Sequence, residues 1–212
     1  MTSLPRGRHG LSREFIADHQ RARLFAAIGA VIERGGYESA TVSAVAAEAG
    51  VSKSDFYAQF ASKDDCFLAA YDAGVERLRA KVLVACGDAE TWGDGICAGL
   101  SAALTGFAGE PAQANLLLVE GLRAGPAIYG RFQAAVESFV PLLRDSGRGR
   151  AGAAGWPEAT DEVVVGGLAS LLSRLVLAGE AARLDRFFPE LAEFALSPYL
   201  GVAEARRIIS SR

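Results

Sequence analysis

From Thr41 to Lys63 the chain reads TVSAVAAEAGVSKSDFYAQFASK, and the spacing of its apolar residues fits two short helices joined by a tight turn. Val42, Val45, Ala46 and Ala49 recur at three- and four-residue intervals, which puts small apolar side chains on one helical face. Gly50 ends that face. A glycine just past the last periodic residue enters the left-handed region without a side-chain clash, and Val51 can then pack back under the turn. Ser52 and Asp55 have the spacing of a capping box and open the second helix, and Ser62 to Asp65 repeats the pattern at the start of a third. Phe56 and Phe60 lie four apart on one face, while Lys53, Ser54, Tyr57 and Gln59 fall mostly on the others. One face anchors the helix and the rest can meet a partner, which is a helix-turn-helix arrangement over about residues 41–60.

The flanking segments are helical as well. A first helix begins near Ser12 and carries a stripe of Leu24, Ile28, Val31 and Ile32 with Phe25 beside it; Gly35-Gly36 ends it and Tyr37 plugs the junction. From Ser62 a long helix runs through Phe67, Leu68, Tyr71, Val75 and Leu78 to about Gly87, as a mechanical link to the rest of the chain. Trp92 to Phe107 reads as a glycine-containing helix, Pro111 opens another with LLLVEGL at its centre, and Pro126 opens a third through Leu143, with Pro141 as a possible kink. Residues 146–157, SGRGRAGAAGWP, are the clearest loop. Glu158 to Gly179 is apolar on almost every side, and Leu184 to Leu200, started by Pro189 and interrupted by Pro198, supplies a partner helix. No period-two strand pattern and no internal repeat appears. The expected fold is all-α: an amino-terminal three-helix bundle with the helix-turn-helix, then a larger helical domain, about nine helices in all. The expected divisions are a basic arm and helix start at 1–17, a small domain at 18–63 and the larger domain at 64–212.

Composition narrows the function. Half of the 212 residues are hydrophobic, so a substantial core is available, and no apolar run or amino-terminal h-region suggests a membrane span or leader; a cytoplasmic protein is expected. Cys66, Cys86 and Cys97 have no CxxC spacing, which argues against a disulfide framework and against a zinc site. They read as reduced, mostly buried thiols, with no sequence-local cationic cluster to activate one. His9 and His19 are the only histidines, so the larger domain lacks the usual base or metal ligand. The chain also has no phosphate-cradling glycine loop and no nucleophile elbow, which argues against an enzyme, and no metal or cofactor is implied. Residues 1–63 hold eight Arg or Lys against six Asp or Glu, whereas residues 64–212 hold 14 against 19, a balance of +2 and −5. A mildly basic end on an acidic body suits local phosphate contact.

Gly50-Val51-Ser52-Lys53 followed by Phe56-Tyr57, Phe60 and Ser62-Lys63-Asp64 resembles the DNA-reading segment of the TetR family of transcriptional regulators, over Leu24 to Leu68. The resemblance implies a ligand-responsive regulator, most often a repressor, that binds a palindromic DNA operator as a homodimer. It assigns Thr41 to cap its helix and touch a phosphate, and Lys63 to reach the backbone. Ser52, Lys53, Ser54, Tyr57 and Gln59 become candidates for base edges or adjacent phosphates. Asp55 departs from the threonine or small residue common in the family, serving either as partner of the Ser52 cap or as acceptor for a cytosine amino group; Ala58 replaces a position often polar or aromatic, so base preference does not transfer. Arg6 and Arg8 belong either to a plain disordered terminus or to an arm that reaches DNA. The helices at about 158–179 and 184–200 would pair with a second copy as a four-helix bundle, with Gly166-Gly167 allowing close approach, or else be internal core.

The same resemblance places a small-molecule effector among the helices between linker and dimer helices, where Trp92, Phe107, Leu117, Glu120, Arg123, Tyr129, Phe132 and Arg174 fall. Glu120 and Arg174 stand out because a charge within an apolar helical run is paired, turned outward or faces a ligand. The competing reading is a helical interaction protein that keeps this fold without specific DNA binding.

Overall fold

The computed structural model describes residues 13–123, 125–145, 157 and 159–211. The described residues are overwhelmingly helical and include no strand. The chain divides into two compact units, one ending at Ala73 and the other beginning at Gly74.

In the amino-terminal unit, α1 (Arg13–Ser39) buries Leu24, Ala27, Ile28, Val31 and Ile32 and packs on α2 (Val42–Ala49). Its helical path breaks at Gly36, whose φ of 75° is a left-handed value that favours glycine. Tyr37 is buried immediately after the break, against the edge of Phe67. α3 (Lys53–Tyr57) follows the turn, and α4 (Lys63–Gly87) begins where the second Ser-Asp pair stands. There the Asp65 amide donates to Ser62 Oγ, but the Asp65 carboxylate accepts from Ala61 N, not from Ser62 N, so the repeat is only half a capping box.

The carboxyl-terminal unit continues with α5 (Trp92–Gly109), capped by Thr91, and α6 (Pro111–Asn115), which has proline in its first turn. The apolar run that follows makes a π-helical turn at Leu116–Glu120 before α7 (Gly121–Arg123) and α8 (Pro126–Asp145). Then come α9 (Thr160–Leu177), a 3₁₀ turn (Ala181–Phe187), α10 (Phe188–Leu200) and α11 (Val202–Ser210). α5, α9, α10 and α11 share a core that includes Ile96, Cys97, Val164, Leu196, Tyr199 and Ala205.

Three expectations change. The helix read from Leu184 starts as a 3₁₀ turn and becomes α-helical at Phe188, with Pro189 in its first turn. Pro198 does not interrupt it, because a proline in the last turn removes one ladder bond close to where Gly201 ends the helix. α11 is a helix that the sequence reading omitted; Ala205 is its buried anchor, with Ile208 and Ile209 packed on the core. The arm with Arg6 and Arg8, most of the loop at 146–157 and the expected helix start at Glu158 lie outside the described residues.

Candidate nucleic-acid interface

Thr41 caps α2, its Oγ1 accepting from Ala44 N at 3.1 Å. The helix ends as its sequence requires: Gly50 has φ 62° and ψ 37°, its amide donates to Ala47 O, and the Val51 amide reaches Ala46 O at 3.0 Å. Arg23 Nη2 adds a bond to Gly50 O at 3.2 Å, placing a cation at the negative end of α2. Arg34 reaches from α1 to Glu48 on α2 at 2.6 Å.

Beyond the turn, α3 carries a complete capping box. Asp55 N donates to Ser52 Oγ at 3.0 Å and Ser52 N donates to the Asp55 carboxylate at 3.1 Å, while the Ser52 hydroxyl also donates to that carboxylate at 2.7 Å. Asp55 therefore performs the capping role. Phe56 and Phe60 are buried, holding the helix from beneath, and Phe60 meets Phe25 of α1.

The candidate contact residues divide into two groups. Thr41, Ser52, Lys53, Ser54 and Tyr57 are exposed, Tyr57 with 57% of its surface accessible and its ring edge-on to Phe56. Gln59 and Lys63 are half-buried and already engaged. Gln59 Nε2 donates to Ala17 O at 3.1 Å, and Lys63 Nζ donates to Tyr37 O at 3.1 Å while lying 4.4 Å from the Tyr37 ring centroid. Tyr37 Oη donates to Asp64 at 2.5 Å; burial, then this bond, raises its phenol pKa above the ordinary range. Lys63 keeps two further N–H donors beyond the one given to Tyr37 O.

Sequence reasoning missed how the basic end is used. Arg21 lies over the rings of Phe25 and Phe60, 5.4 and 4.9 Å from their centroids, and Arg23 is tied to the α2 terminus. The i,i+4 spacing of Arg21 to Phe25 was the available signal.

The effector candidates differ in burial. Trp92 donates Nε1–H to Leu143 O at 3.1 Å and stands edge-on to Tyr199, half-buried against the core. Phe107, Leu117, Glu120 and Phe132 are buried, whereas Arg123, Tyr129 and Arg174 are exposed. The thiols of Cys66 and Cys97 are buried; burial pushes Cys66 up to about 12 and raises Cys86. Among the described residues there is no cluster of His, Cys, Asp or Glu that could hold a metal ion, and no helix long and apolar enough to cross a membrane.

This geometry defines a helix-turn-helix DNA-binding regulator fold. Residues 24–70 match the bacterial regulatory proteins of the tetR family. The fatty acid degradation regulator FadR from Bacillus halodurans superposes with a TM-score of 0.71 at 16% identity, covering 84% of this chain and 93% of its own. FadR from Bacillus subtilis, solved in complex with stearoyl-CoA, gives 0.71 at 14% identity over 85% and 98%. A TetR-like transcriptional regulator from Rhodococcus sp. RHA1 gives 0.68 at 18% identity over 90% and 99%. No curated protein sequence matches the chain. The chain has the fold of the TetR-family DNA-binding transcriptional regulators.

Proposed function

We propose that this protein is a cytoplasmic homodimeric repressor that binds a palindromic operator and is released by a small amphipathic effector. The observation that carries the reading is α3: a helix capped at both ends of its Ser-Asp pair, anchored by Phe56 and presenting Lys53, Ser54 and Tyr57 to solvent. Lys53 is the base or phosphate donor, Tyr57 and Thr41 meet phosphates, Ser52 and Ser54 contact the adjacent edge, and Gln59 and Lys63 join through the N–H groups not given to Ala17 and Tyr37. Exposed Val163, Ser170 and Leu177, spaced by seven on α9, with half-exposed Phe194 on α10, form the face for the second copy. Gly167 is already covered by Phe194, whereas Gly166 has open space above it.

The effector domain is residues 74–212. Phe107, Leu117, Glu120 and Phe132 are its inner candidates, and Arg123, Tyr129 and Arg174 lie at the surface. Stearoyl-CoA in the Bacillus subtilis neighbour supports an amphipathic molecule, and we assign the chain no reaction of its own. A mobility-shift titration against the promoter region beside its own gene tests the reading. Salt-sensitive binding that a Lys53→Ala, Tyr57→Ala variant loses is the expected result. Equal weak binding by both proteins overturns it in favour of a helical interaction protein.

A further inference from the structure

We propose that the groove between α4 and α5 binds a small organic acid, whose carboxylate replaces that of Glu110 beside Lys81 and Arg77. The groove is shallow and open to solvent, offers about 610 Å³, and lies wholly in the carboxyl-terminal unit. Its floor is the face of α5 on which Ala98, Ala102 and Gly106 stand four apart, so no bulky side chain fills it. Ser101 and Thr105, also four apart, add hydroxyls along one side.

The charges at its mouth are unevenly matched. Lys81 Nζ lies 3.9 Å and Arg77 Nη2 4.0 Å from the two carboxylate oxygens of Glu110, and all three side chains are more than half exposed. Two cations at the limit of ion-pair distance thus share one loosely held carboxylate. Arg77 also donates to Gln113 Oε1 at 2.5 Å, a bond that does not involve Glu110. Lys81 Nζ lies 3.9 Å from the position a Cβ on Gly106 would take, which sets the ammonium over the bare floor. A ligand with one carboxylate and a narrow apolar body matches both features: its head takes the place of Glu110, and its body lies on the alanine-glycine strip. A cation would face Lys81, and a neutral amphiphile would leave the pair intact.

The site names a ligand class for the effector reading and rests on that reading only for its regulatory consequence, since binding is measured without DNA. The experiment is a ¹H–¹⁵N titration of the full chain with sodium octanoate and, separately, 1-octanol. Octanoate should shift the amides of Ser101, Thr105 and Gly106, and octanol should bind about fivefold more weakly or less. Glu110→Gln, which removes the internal competitor, should tighten octanoate about twofold or more, and a Lys81→Ala, Arg77→Ala variant should weaken it about fivefold or more. Gly106→Phe should block it by filling the groove. Equal response to acid and alcohol, shifts centred on Leu117 and Phe132, or no tightening in Glu110→Gln would each overturn the proposal. Both charge tests use exposed side chains and still decide the matter if Gly106→Phe does not fold.

Discussion

Single residues set where the second helix of the helix-turn-helix begins. Ser52 and Asp55 satisfy both ends of a capping box on a helix of only five residues, too short to persist on its own propensity. Ser52→Ala should therefore cost about 1 kcal/mol in urea unfolding, and should weaken operator binding by more than the loss of one hydroxyl contact. Cys66 makes a second residue-scale case. Burial first, and then the Asp65 carboxylate, push its thiol up to about 12 from an ordinary 9.0, against a smaller opposing pull from Arg21. The folded state thus favours the neutral thiol. Its contribution is fully present below pH 9 and is lost as pH rises through the window from 9 toward 12. The urea midpoint should fall across that window, and Cys66→Ala should make the fall shallower whatever its effect at neutral pH. Native Cys66 should also resist iodoacetamide at pH 8 until the protein is unfolded.

Elements are where sequence legibility runs out unevenly. α1, α2, α3 and α4 could be read closely because each start or stop is written locally, by Gly36, Thr41, Gly50, Ser52 or Ser62. The π turn at Leu116–Glu120 could not, because five consecutive buried residues carry no periodicity to place the extra backbone step. α11 was missed although its sequence shows it: Val202, Ala205 and Ile209 recur at helical spacing with Ile208 beside them, opposite Glu204, Arg206 and Arg207. The effector candidates were chosen by position in the chain, and that choice mixed buried residues such as Phe107 with exposed ones such as Tyr129. Nor does any local pattern announce that Asp161 on α9 receives Arg144 Nε from α8 at 3.0 Å and Tyr199 Oη from α10 at 2.7 Å. That carboxylate is buried and ties three helices together, so Asp161→Ala should cost about 1–3 kcal/mol by removing its bonds to Arg144 and Tyr199. Tyr199→Phe should cost less, and the double variant should cost less than the two separate losses added, as thermal or urea unfolding of a coupled pair reports.

At the scale of the whole molecule, what decides the regulatory reading is whether the apolar face of α9 is covered by a second copy. Val163 and Leu177 are about two-thirds and three-fifths exposed, two turns either side of Ser170, and Phe194 adds a half-exposed ring from α10. Leaving branched side chains at that spacing in water forfeits the hydrophobic gain of burying them, which is about 1.5–3 kcal/mol for each large side chain fully covered. A symmetric dimer recovers it on both copies at once, because an isologous face meets itself. The same symmetry gives two recognition helices a half-site separation of about 34 Å, so dimerisation and operator affinity should fail together. A Val163→Glu, Leu177→Glu variant should sediment as a monomer at concentrations where the parent is dimeric, with unchanged helical circular dichroism because neither side chain is buried in the chain. It should bind a full inverted repeat no more tightly than a single half-site, whereas the parent should prefer the full repeat strongly and lose that preference when the half-site spacing is changed by half a helical turn. A variant that stays dimeric would move the interface elsewhere. A monomeric variant that still discriminates the full repeat would separate operator affinity from the α9 face.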